Sequence, residues 1–95
     1  MSNKNNKKIN APESFKDEIG KVLFSRNVIA KLVDKGGLSK EDDDALKDLW
    51  FKLDFLEEKF RDHTFVSALP SSIATAKKAN LQIYEFAIAA NRELN

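Results

Sequence analysis

Apolar residues recur at helical spacing twice in this chain, from Phe15 to Val33 and from Ala45 to Phe60, and Gly36-Gly37 parts the two runs. A period near 3.6 residues gathers such positions on one side of an α-helix, whereas a half-buried strand needs strict alternation. In the first run Phe15, Ile19, Val22, Leu23, Ile29, Ala30 and Val33 fall within one broad face. In the second, Ala45, Leu46, Leu49, Trp50, Leu53, Leu56 and Phe60 do the same. The glycines supply the positive φ that ends a helix, and Lys35 sits in the last turn, where a cation suits the negative helix end. Ser39 is placed to cap the second helix, with Glu41 to Asp44 at its positive end.

Pro12 and Glu13 suit the first turn of the first helix. Phe65 to Leu69 reads either as a continuation of the second helix or as an apolar connector under the bundle. Pro70 disfavours a helical Leu69, so a break is expected there, with Ser71 or Ser72 capping a third helix. Its stripe is Ile73, Ala76, Leu81, Tyr84, Ala87, Ile88 and Leu94, and its many alanines favour helix and close approach. No strand candidate and no internal repeat is visible. The chain therefore reads as all-α: a three-helix antiparallel bundle with helices over about 12–35, 40–63 and 72–94. Residues 11–95 form one helical domain, preceded by a flexible, disordered Lys/Asn-rich tail over 1–10.

The first two helices carry more apolar surface than such a bundle needs. Phe24, Val28 and Leu32 stand four apart, opposite the Phe15/Ile19/Val22 face, and Phe51 and Phe55 stand opposite Leu49/Leu53/Leu56. A bundle helix requires one stripe of ~100° or somewhat more. Either the third helix and the Phe65–Leu69 segment cover this surplus, or Phe24, Val28, Leu32, Phe51 and Phe55 line an interface with another chain. The second reading is preferred, because five large apolar groups left in water make a patch that monomers avoid. Arg26 falls inside the apolar face of the first helix, and Asn80 and Asn91 inside that of the third. If buried, each needs hydrogen-bond partners; otherwise Arg26 extends to water along its stem.

Composition removes most chemistry. There is no Cys, and His63 is the only histidine, so neither a zinc site nor a nucleophilic triad is expected. The acidic run Glu41 to Asp44 lacks the alternating ligands, central Gly and distant Glu of a calcium loop. Gly36-Gly37 lacks the strand before it and the Gly-Lys-Ser/Thr after it that a phosphate loop requires. No catalytic residue, metal or cofactor is expected, and the chain is read as not an enzyme.

Net charge is only +1, and three of the sixteen Lys and Arg residues lie in the first eight positions, leaving thirteen basic against fifteen acidic groups. No field of one sign steers the domain toward nucleic acid or a membrane. A helix-turn-helix role for the hairpin is disfavoured, because the reading helix would present Glu41 to Asp44 to phosphates. No run of eighteen uncharged apolar residues spans a bilayer, and no apolar stretch of the signal-peptide kind follows Met1 to Lys8. A cytoplasmic location is expected. The expected activity is non-catalytic protein binding through apolar helix faces, by a homo-oligomer, in the role of an adaptor, an inhibitor of the antitoxin or immunity sort, or a small chaperone. The partner is expected to be a second copy, another protein, or both. The alternative is a nucleic-acid accessory protein using Lys4, Lys7 and Lys8.

Overall fold

A computed structural model of the chain describes residues 15–62 and 70–95, the first two of the latter by backbone alone. Three helices make up nearly all of these: α1 (Lys16–Lys35), α2 (Lys40–Arg61) and α3 (Pro70–Leu94). No strand occurs among the described residues. The architecture is the three-helix bundle that the periodicity implies. The expected tail over 1–10, the turn at Pro12 and Glu13, His63 and the Phe65–Leu69 segment lie outside the described residues.

The punctuation works as its chemistry dictates. Gly36 and Gly37 adopt φ of 78° and 77°, in the left-handed region where a side chain is strained. The Gly36 amide donates to the Val33 carbonyl and closes α1. Ser39 caps α2, its Oγ accepting from the Asp42 amide at 3.1 Å. The third helix begins two residues earlier than expected. Pro70 itself opens α3, where its fixed φ suits a helical start and its missing N–H leaves no bond unmade. Ser71 and Ser72 thus lie inside the first turn rather than ahead of it.

The central element is α1, which packs against both neighbours, while α2 and α3 meet each other only sparsely. This decides which face of α1 is buried. Val22, Ser25, Val28 and Ile29 are enclosed, whereas Leu23 and Val33, expected in the core stripe, are 45% and 39% exposed. The enclosed residues span about 120° of the helix circumference, and the half-buried Phe24 and Ile19 flank them on either side, because two helices cover α1 from two directions.

On the α2 side lie Phe15, Val22 and Ile29, with Leu46, Leu53, Leu56 and Phe60 opposite. The Phe15 and Phe60 rings meet at 5.2 Å between centroids, tilted by 49°. Trp50 packs against this core from its edge.

A charged staple joins α1 to α2. Arg26 donates to Glu57 and lies 3.0 Å from Asp54, with its guanidinium over the Trp50 ring. Arg26 is therefore neither fully buried nor free in water. Its stem crosses the apolar face and its head reaches α2 at the rim. Glu57 also accepts from Arg61 at 2.7 Å. Partial burial pushes the Glu57 carboxyl up, but the bonds from Arg26 and Arg61 outweigh it and hold the group below the ordinary carboxylate range. A depressed carboxylate contributes stability that is present above its unfolded pKa and lost as pH falls through the folded one. Thermal melts should therefore drop on acidification below the ordinary carboxylate range, and Glu57→Gln should shrink that drop. The part removed is on the order of 1 kcal/mol, since ion pairs near water are modest. An unaltered acid limb in the variant would mean the staple does not hold the hairpin.

On the α3 side the contact is built around a polar group. Asn80 is fully buried, and its Nδ2 donates to the Glu18 carbonyl at 2.9 Å and to Glu18 Oε1 at 3.0 Å. These bonds tie the middle of α3 to the first turn of α1. Ala76, Ile83 and Ala87 share the buried face with Asn80, while Leu81, expected in the core stripe, is 42% exposed. The buried face shares Ala76 and Ala87 with the expected stripe but is turned from it by roughly 50°, about half of one residue's step around the helix.

Candidate interaction site

The five residues singled out by their surplus apolarity separate into two groups. Phe24 is half-buried, its ring edge-on to Tyr84 of α3 at 5.5 Å. Val28, one turn later, is buried inside the chain, so it offers no outer surface. Leu32 is half-buried against the core. The second stripe of α1, expected as an interface with another chain, is covered in large part by this chain's own α3. The reason is the central position of α1, which gives each of its apolar sides a neighbour.

Phe51 and Phe55 are different. They are 70% and 56% exposed, the most open of the large hydrophobic residues described. Helices α1 and α3 leave this side of α2 uncovered. The two rings stand at the edge of a groove of about 620 Å³ between α2 and α3. The α2 wall is Phe51, Lys52, Phe55 and Leu56, and the α3 wall is Ser72, Thr75, Ala76, Ala79 and Ile83. One wall is bulky and aromatic and the other consists mainly of small residues. Lys52 is the only charged residue among them. The Lys59 ammonium lies over the Phe55 ring at 5.2 Å.

A second trough of about 550 Å³ opens between the same two helices at the other end of the bundle. Leu46 and Leu49 of α2 face Phe86 and Ala90 of α3 there, with Leu32 of α1 and Leu38 beside them. Asp42, Glu93 and Lys35 stand among its walls. Both troughs follow from one cause: α2 and α3 each pack on α1 and diverge from each other. The side of the bundle opposite α1 is therefore unfinished.

The α3 wall was not foreseen from the sequence. Thr75, Ala79, Ile83 and Phe86 lie between the face directed at α1 and solvent. The signal for them is weak, because alanine and threonine scarcely register as an apolar stripe. Among the described residues there is no group of three or more acidic or histidine side chains that could hold a metal ion. No described helix is long and apolar enough to cross a membrane. Lys4, Lys7 and Lys8, the residues of the nucleic-acid alternative, lie outside the described residues. Asp42, Asp43 and Asp44 occupy the start of α2, where Asp43 pairs with Lys47 and Asp44 with Lys40 along the helix.

No family model, curated protein or solved structure matches the chain.

Proposed function

We propose that this chain is a non-catalytic protein-binding module whose open α2–α3 side receives a helix from a partner chain. One observation carries the reading: Phe51 and Phe55 stand mostly in water beside an apolar groove. Each ring is worth roughly 1.5–3 kcal/mol when removed from water. Aromatic side chains at the mouth of a pocket are the usual anchors of protein interfaces, and an amphipathic helix laid into a groove is a recurrent way of using them. The small residues on the α3 wall let a helix approach closely. An adaptor, an inhibitor of the antitoxin or immunity sort, or a small chaperone would each use such a surface, and a chain without cysteine suits the cytoplasm.

The reading is tested by placing a photo-reactive phenylalanine analogue at position 55 in cells. Irradiation should give a covalent adduct with a protein, and Phe51→Ser should suppress it. The same analogue at the exposed Lys31 of α1 should give none. A position 55 that yields no adduct would remove the groove from consideration as a binding site.

A further inference from the structure

We draw no further inference here: the strongest candidate, the apolar groove between α2 and α3 that Phe51 and Phe55 border, carries none, because exposed acids and cations are interleaved along its α2 edge and nothing in the structure shows what covers it.

Discussion

Replacing Phe60 with alanine should lower the melting temperature by ~12–40 °C, enough to leave much of the chain unfolded at physiological temperature. Phe60 has no exposed surface, and its ring is stacked obliquely on Phe15 at the open end of the α1–α2 hairpin. Phenylalanine-to-alanine changes at such positions cost about 3–5 kcal/mol, because the lost burial is compounded by the cavity left behind. In a domain of this length each kcal/mol moves the midpoint by about 4–8 °C. The total stability of small domains is itself only about 5–15 kcal/mol. Loss of helical circular dichroism on heating measures the effect. The informative comparison is Phe51→Ala. That side chain is equally large but 70% exposed, so its removal should shift folding of the isolated chain by no more than about 0.5 kcal/mol. Two similar midpoints would mean that burial does not sort these phenylalanines as the fold requires. If the chain dimerises, Phe51→Ala also lowers the midpoint in a concentration-dependent way, whereas Phe60→Ala lowers it at every concentration.

The same contrast explains what could be read from the sequence and what could not. The helices were legible because their stops are local chemistry. Gly36-Gly37, the Ser39 cap and Pro70 act within a turn of themselves, and no tertiary contact is needed to anticipate them. The face of α2 was legible too, since a single neighbour covers it and Leu46, Leu53, Leu56 and Phe60 recur at one spacing. On α1 the reading failed for a global reason. Whether Phe24, Val28 and Leu32 face water depends on a third helix some fifty residues away in sequence, and periodicity reports only that they share a side. On α3 it failed for a chemical one. A buried asparagine interrupts the apolar pattern, and the eye is drawn to Leu81 beside it although Ile83 is the buried residue. Phe51 and Phe55 keep in the fold the exposure that their surplus in the sequence suggests, because neither α1 nor α3 covers their side of α2.

That buried asparagine supports a prediction of comparable size and opposite pH dependence from the Glu57 staple. Asn80→Asp preserves shape almost atom for atom but replaces an NH₂ donor with an oxygen. The wild-type Nδ2 bonds both the Glu18 carbonyl and the Glu18 carboxylate, and Asn80 Oδ1 is already buried without a partner. At neutral pH the new carboxylate would sit fully enclosed, about one hydrogen-bond length from another carboxylate, with no cation paired to it. Breaking a buried polar pair so that a charge is left uncompensated costs about 3–5 kcal/mol. Lys21, 3.8 Å from Glu18 at the rim, is already engaged with that residue and offers little relief. Burial and like charge both raise the pKa of the introduced acid. A folded-state pKa above the unfolded one means that stability is retained below the unfolded pKa and lost as pH rises through the folded value. The variant should therefore be close to wild type in mild acid and much less stable at neutral pH, whereas the wild-type chain loses stability as acid protonates Glu57. Paired melts at the two pH values distinguish the cases. If the variant is equally destabilised at both, its defect is packing and not charge, and the Asn80–Glu18 bonds are not what fixes α3 on α1.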